Sequence, residues 1–414
     1  MEPVHRRVTY KLYPSPAQAA EMERRRGLHR ALYNAALQER IDAYRLAGKS
    51  IGYAEQCRAL TRVRRENPEY LGVNAQSLQV TLKRLDEAFG HFFRRVREGA
   101  DESGFPRFKG RDRFPGFGFK HHGDGFRFTP GSGWRHGRLR LSGIGDMAAR
   151  GEPRTPGRVV ACSVMRKADG WFLSLVLECT PWREQVAEPR ECGLDWGVET
   201  FATLAYGAGR YEAFENDRLL EAEQERLKEE QRALSKALRD KRSKRAAKAR
   251  CRLAKRHRRV ANRRKDRTHR ITAGLARDHR LIVTERLAVK NMSASAKGTV
   301  EKPGRRVRQK AGLNRAILDT APGSFLSVLA YKAEEAGCEL IVLETREHRP
   351  SQTCPCCGVV RKKALSEREH ICGDCGFRAT RDQAAALAML AAGLRLRGRE
   401  PARVATPETP ARAA

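Results

Sequence analysis

Hydrophobic and polar positions change their period along this chain, and each change marks a different kind of element. Residues 4–13, VHRRVTYKLY, read as one strand that Pro14 and Pro16 bring to an end. Across 17–97, apolar residues recur at three and four positions, as in LHRALYNAALQERIDAYRLAG and AQSLQVTLKRLDEAFGHFFRRV, with arginines on the other faces. That spacing predicts helices, broken at Gly48 and at Asn67-Pro68. At Gly104 the texture changes: GFPRFKGRDRFPGFGFKHHGDGFRF holds seven of the chain's 15 Phe among Gly, Arg and Lys. The pairs Phe117/Phe119 and Phe126/Phe128 predict short strands, and a hairpin over 159–179 follows, turning at Asp169-Gly170. Most of these rings are expected inside a small barrel. Phe105 and Phe108, beside Arg107 and Lys109, are the expected exceptions, suited to stacking on bases.

The second half has a different order. ECGLDWGVETFATLAYGAGRYEAF (191–214) predicts three consecutive antiparallel strands, with turns near Gly197 and between Gly207 and Gly209. A long charged helical stretch covers 216–278. LIVTE (281–285) and CELIVLE (338–344) read as buried strands, separated by a helix around FLSVLAYKAEEAG. The Gly-, Ser-, Lys- and Arg-rich interval 293–320 reads as a mobile loop, and the tail from Gly398, with three prolines, as disordered.

Charge narrows the class. With 414 residues the chain has room for roughly two or three domains. Its 83 Lys+Arg against 49 Asp+Glu give a formal charge of +34, an excess that calls for a polyanionic partner. No apolar run approaches the roughly 18 residues of a membrane span, and the start lacks the apolar core of a secretory signal, so no membrane role is expected. Between 241 and 270 the chain carries 16 Lys/Arg and one acid, Asp266, which is too one-sided for a merely solvated face. Nucleic acid in the cytoplasm is the expectation.

Five of the 11 cysteines lie between 354 and 375; the other six are scattered, as buried thiols in a reducing compartment would be. Cys354/Cys357 and Cys372/Cys375 form two CxxC pairs, each of which aims two thiolates at one point. Together they predict a tetrahedral zinc site, with Cys356 either a spare thiol or a substitute for a neighbouring ligand. Asp382 opens an alanine-leucine helix just after them. The second half therefore reads as three strands, helix, strand, helix, strand, inserted zinc knuckle and final helix, the order of an RNase H-like fold. In that order Asp195 lies on the first strand, Glu285 ends the fourth, and Asp382 starts the last helix. Clustered carboxylates repel unless divalent cations neutralise them, and two Mg²⁺ about 3.5–4 Å apart can hydrolyse a phosphodiester.

The blocks VTYKLYPSPAQAAEMERRRGLHRALYNAAL, GFPRFKG, GLDWGVETFATL, LIVTERLAVKNM, HRPSQTCPCCG and CGDCGFRATRDQAAALAML resemble the TnpB family, transposon-encoded relatives and ancestors of type V CRISPR nucleases. The resemblance covers nearly the whole chain apart from the tail. It implies an RNA-guided DNA endonuclease with an α+β multidomain fold: a helical recognition domain (17–103) inserted in a wedge-like β-barrel (1–16 and 104–186). A RuvC-like nuclease domain (187–350 and 378–396) follows, carrying a zinc ribbon insertion (351–377), and 397–414 form the tail. It also implies Asp195, Glu285 and Asp382 as a Mg²⁺- or Mn²⁺-binding catalytic triad, and Cys354, Cys357, Cys372 and Cys375 as Zn²⁺ ligands. The implied partners are a transposon-derived guide RNA and target double-stranded DNA. The chain would act as a monomer in its RNA complex, in a prokaryotic cytoplasm and at the nucleoid when on DNA. One departure is visible: family members commonly carry Asn two residues after the last Asp, where this chain has Ala384. Competing readings are a nuclease-inactive RNA-guided regulator, a non-catalytic accessory protein of the transposon, and a small CRISPR effector.

Overall fold

The computed structural model describes residues 3–99, 103–151, 156–180, 183–240, 243–299, 301–364 and 367–399. Beyond Arg399, the tail expected to be disordered lies outside the described residues. The chain divides into two compact units, residues 1–181 and 182–414.

The first unit opens with strand β1 (Val4–Tyr13) and three helices, α1 (Pro16–Ala47), α2 (Tyr53–Glu66) and α3 (Ala75–Arg97). Ser15 caps α1 through a reciprocal pair of hydrogen bonds with Gln18, and Gly48 ends it at φ 62°, a conformation glycine adopts without strain. Six strands follow: β2 (Gly116–Phe119), β3 (Phe126–Pro130), β4 (Gly137–Leu141), β5 (Gly145–Arg150), β6 (Arg158–Lys167) and β7 (Gly170–Cys179). They join β1 in one antiparallel sheet of order β2-β6-β7-β1-β5-β4-β3. Five of the seven clustered phenylalanines, Phe114, Phe117, Phe119, Phe126 and Phe128, are buried, whereas Phe105 and Phe108 are exposed. Rings from the two edge strands meet in the core, Phe119 and Phe126 lying 5.6 Å apart. Those edges are not hydrogen-bonded to each other among the described residues, so the expected barrel is a curled, open sheet. Strands β4 and β5 were not foreseen; their inward positions Leu139, Leu141, Met147 and Ala149 alternate with exposed or half-buried ones.

The second unit carries β8 (Arg190–Trp196), β9 (Thr200–Ala205) and β10 (Tyr211–Glu215), then helices α4 (Gln224–Arg239) and α5 (Ser243–Asp278). After strand β11 (His279–Glu285) come α6 (Val289–Met292), α7 (Val307–Thr320) and α8 (Pro322–Ala336). Strand β12 (Glu339–Leu343), α9 (Thr345–His348), the hairpin β13 (Glu369–Ile371) and β14 (Arg378–Thr380), and α10 (Arg381–Leu396) complete it. The five-stranded sheet has the order β10-β9-β8-β11-β12, antiparallel from β8 to β10, with β11 parallel to both β8 and β12. Leu275 of α5 and Phe325, Leu329 and Ala333 of α8 pack with Cys192, Leu194 and Ile282 on one face. Ala385, Met389, Leu390 and Leu394 of α10 pack with Leu281, Val283 and Leu343 on the other.

Two expectations need correction. The stretch 216–278 is two helices rather than one: Leu234 and Ala237 of α4 pack on Ala246 and Ala249 of α5, and that apolar contact folds the stretch back on itself. The interval 293–320 is only half loop. Its second half is α7, tied down where Asn314 Nδ2 donates to Ser293 O and Ala294 O (2.9 and 3.0 Å) and Lys310 Nζ donates to Met292 O (2.5 Å).

The seating of α10 rests on a missing side chain. A Cβ built on Gly193 of β8 would lie 1.8 Å from Ala386 O, a backbone atom that only a shift of the helix can clear. Gly193→Ala should therefore destabilise the protein by roughly 1–3 kcal/mol or more, read as a fall in Tm. Gly27→Ala, on α1 with nothing within 4 Å, should leave Tm unchanged or raise it slightly. Equal melting of the two variants would contradict the packing of α10 on β8.

Candidate active site

Register brings the first two carboxylates together. Leu194 of β8 pairs with Thr284 of the parallel strand β11, and the Thr284 hydroxyl donates to Leu194 O at 2.9 Å. One residue on, Asp195 and Glu285 stand side by side where both strands end at their carboxyl edge. Alternation then fixes the face. Gly193 and Val283 meet α10, so Asp195 and Glu285, two residues further along, point to the same side.

The third carboxylate comes from α10 itself. Thr380 caps the helix, its hydroxyl accepting from Gln383 N (3.3 Å) while Gln383 Oε1 accepts from Thr380 N (3.1 Å). Asp382 sits in the first turn, where exposed N–H groups favour an anion. Burial, followed by the negative charges of Asp382 and Glu285, raises the Asp195 carboxyl well above its ordinary range; Arg381 works against them. Burial also raises Glu285, partly offset by the Thr345 hydroxyl. Asp195 thus has the environment expected of an acid buried close to other acids, whereas Glu285 is raised by burial alone. Among the described residues, the three are not drawn as close as the cysteine cluster, whose four ligand atoms lie within 4.8 Å of one another. The donor set suits hard divalent cations, which take carboxylate oxygens.

The cysteine cluster is the second feature. Cys354 and Cys375 Sγ are 3.7 Å apart, and Cys357 and Cys372 Sγ 3.6 Å. A tetrahedron with Zn–S bonds of about 2.3 Å has S···S edges of about 3.8 Å, so the four sulfurs fit zinc. Both knuckles are built alike. Cys354 N donates to Val359 O and Cys372 N to Phe377 O, while Gly358 N and Gly376 N donate back to Cys354 O and Cys372 O, all at 2.9–3.0 Å. Gly358 and Gly376 close the turns at φ 78° and 71°. Burial pushes the Cys354 thiol up to about 12. At Cys372 burial acts the same way, yet hydrogen bonds from the backbone of Cys375 and Asp374 together with the thiols of Cys357 and Cys375 outweigh it and hold the thiol down at about 7. Cys356 is exposed and stands outside the cluster, as a spare thiol would.

The ribbon braces the carboxylates. Its second knuckle turns between β13 and β14, and β14 ends at Thr380, the cap of α10. Arg381 Nη1 donates to Ala364 O at 2.8 Å, and Arg381 N donates to Arg368 O at 2.8 Å. Arg368 pairs with Glu199, in the turn that follows Asp195, at 3.3 Å. Ala384, the departure from the family pattern, is buried in an apolar cluster with Cys354, Cys372, Phe377 and Ala205, where a small side chain fits. Sequence reasoning missed Arg381 and Arg368, because one more arginine stands out little among 83 Lys+Arg.

A cleft of ≈1190 Å³ opens beside Asp382. Trp196, Leu227 and Leu253 line it with Arg232, His257 and Arg315. Trp196 is buried and its indole N–H has no partner among the described residues. Along α5, Arg252 and Arg256 pair with Glu230, and Arg264 with Asp319. Lys244, Arg245, Lys248, Arg250, Lys255, Arg259, Arg263 and Lys265 are exposed. The basic run thus has one face held by acids and one face open. No helix among the described residues is long and apolar enough to cross a membrane.

A mixed sheet whose carboxyl edge carries Asp195 and Glu285 beside the Asp382 turn, next to a four-cysteine ribbon that feeds the last helix, is the layout of a candidate nuclease. The family models agree with this layout. One described as "Probable transposase" matches residues 174–296, one described as "Cas12f1-like, TNB domain" matches 323–389, and one described as "Helix-turn-helix domain" matches 1–49, which here hold one strand and one long helix. The chain is 32% identical to "Putative RNA-guided DNA endonuclease InsQ" of Escherichia coli (strain K12), covering 93% of this chain and 91% of that protein. It is also 32% identical to a "Putative RNA-guided DNA endonuclease" of Streptomyces pristinaespiralis, over 95% and 90% of the two chains. The solved structure of the mini-RNA-guided endonuclease CRISPR-Cas_phi3 matches over 94% of this chain and 92% of that one, at 9% identity and a TM-score of 0.49. The chain belongs to the TnpB family.

Purified protein should carry one equivalent of zinc per chain. Cys354→Ser or Cys372→Ser should release it and lower Tm, because the remaining ligands leave a coordination position to water. Wild-type protein without zinc by metal analysis would contradict the site.

Proposed function

We propose that this protein is a transposon-encoded, RNA-guided DNA endonuclease whose second unit is an RNase H-like, RuvC-type nuclease. Asp195, Glu285 and Asp382 would hold Mg²⁺ or Mn²⁺. The observation that carries this reading is the shared register of β8 and β11, with the first turn of α10 closing on the same strand ends. The names of the two relatives support it at the level of the whole chain.

Divalent cations at this site would supply the charge that lets three acids stand together, and Lewis-acid assistance to phosphodiester hydrolysis. The chain's own part is positional. The sheet fixes Asp195 and Glu285, the capped helix fixes Asp382, and the basic cleft beside Asp382 attracts a phosphate backbone. The open face of α5 would bind the guide RNA through phosphates, with affinity that falls steeply with salt. The helices and curled sheet of the first unit would serve as recognition and wedge domains, and the ribbon as a structural zinc site. The chain would work in the cytoplasm.

Asp195→Ala, Glu285→Ala and Asp382→Ala should each abolish cleavage of both strands of a guide-matched DNA. Each should leave RNA and target binding near wild type, because none removes a positive charge or a core side chain. A double variant should be no worse than a single one, since the acids act as a unit. Substantial cleavage by any one variant would remove that residue from the site. A wild-type protein that binds matched DNA in Mg²⁺ and never cuts it would favour the regulator.

A further inference from the structure

Four phenylalanines gather at the end of α3 and the segment after it. Phe105 meets Phe89 and Phe92 edge-on at 5.5 and 5.2 Å, while Phe93 lies 6.2 Å from Phe89 and 5.1 Å from Phe92. Phe89 is anchored inward, against the helical core and under Arg40 at 5.1 Å. The loop that presents Phe105 is fastened by Arg95, whose Nε donates to Ser103 O (2.6 Å) and Nη2 to Gly104 O (2.9 Å). Despite this clustering the outer rings face solvent: Phe93 is 55% exposed and Phe105 46%, with Val96 at 49% beside them. An ordered aromatic patch left in water marks a contact surface.

The surroundings choose the partner. Residues 93–113 carry seven basic residues, Arg94, Arg95, Arg97, Arg107, Lys109, Arg111 and Arg113, against four acids, of which Asp101 and Glu102 lie outside the described residues. A second copy would bring the same excess, at a formal +34 per chain, against itself. Exposed aromatic rings carried by a segment this rich in arginine suit a polyanion with flat apolar bases. Duplex DNA offers none until it is opened, since its bases are stacked and paired, whereas a folded RNA exposes unpaired bases in loops and bulges before any target is bound. We infer that the patch formed by Phe92, Phe93 and Phe105 stacks unpaired nucleotides of the bound RNA. This rests on the RNA partner of the proposed function and is independent of the carboxylate site.

The test uses the RNA that co-purifies with the full chain, re-bound to stripped protein, with 2-aminopurine placed at its unpaired positions. Phe93→Ala and Phe105→Leu (which keeps apolar volume but loses the ring) should each weaken binding about tenfold. At least one 2-aminopurine position should lose its bound-state quenching. The loss should be the same at low and high salt, because stacking releases no counterions, whereas Arg97→Ala should flatten the salt slope. Phe93→Trp should bind as wild type. Affinity within twofold of wild type for both ring-loss variants, at unchanged Tm, would overturn the inference while leaving the RNA partner intact. A change of oligomeric state with unchanged RNA affinity would assign the patch to protein contact instead. Wild-type protein that binds no RNA would remove both.

Discussion

The close approach of α10 to the five-stranded sheet is the contact on which the site depends. Gly193 lets the helix backbone reach β8, and a Cβ on Gly393 would lie 2.4 Å from Val283 Cγ2 on β11. Around the first of these points the helix presents Ala384, Ala385, Ala386 and Ala388, all buried. Small residues at a helix–sheet contact set its distance, and here that distance sets how near Asp382 comes to the strand ends. Each strand runs two residues beyond its contact before reaching its acid, Gly193 to Asp195 and Val283 to Glu285. Bulk at either contact would lift Asp382 away from both.

Bringing three acids together is electrostatically unfavourable, and the fold offsets it with fixed elements. The first turn of α10 offers its N–H groups to Asp382, and Arg381 lowers the Asp195 carboxyl against the rise caused by burial and its neighbours. Arg381 is held in turn by Ala364 O in the ribbon, and Arg368 reaches Glu199 after Asp195. The ribbon therefore holds Arg381, the neighbour of Asp382, and reaches the turn that follows Asp195 from outside the sheet. That gives a physical reason for a four-cysteine ribbon to be inserted between the last strand of the sheet and the last helix.

What was legible in the sequence followed from short-range signals. The CxxC spacing, the hairpin turning at Asp169-Gly170, and the order of strands around Asp195, Glu285 and Asp382 each rest on local chemistry or period. The unread parts depend on distant partners. Helix α7 buries little more than Ile317 and Thr320 and leaves Leu313 and Leu318 exposed, so its composition resembles a loop; Asn314 and Lys310 hold it through carbonyls about twenty residues away. The signal for two helices lies in Leu234, Ala237, Ala246 and Ala249, small or apolar positions within a stretch dense in arginine and lysine. Strands β4 and β5 were missed though GRLRL alternates, because arginine and glycine also dominate the surrounding segment. The register that aligns Asp195 with Glu285 could not be read at all, since it joins strands some ninety residues apart.

The most direct test of the central claim is electron paramagnetic resonance of Mn²⁺ titrated into the RNA complex, with the same RNA in every sample. If β8, β11 and α10 converge as a divalent-cation site, wild-type protein should show tightly bound, spin-coupled Mn²⁺, as expected for ions about 3.5–4 Å apart. Asp195→Asn or Asp382→Asn should abolish that coupling while RNA binding persists. Spectra and stoichiometries identical in wild type and variants would contradict the account.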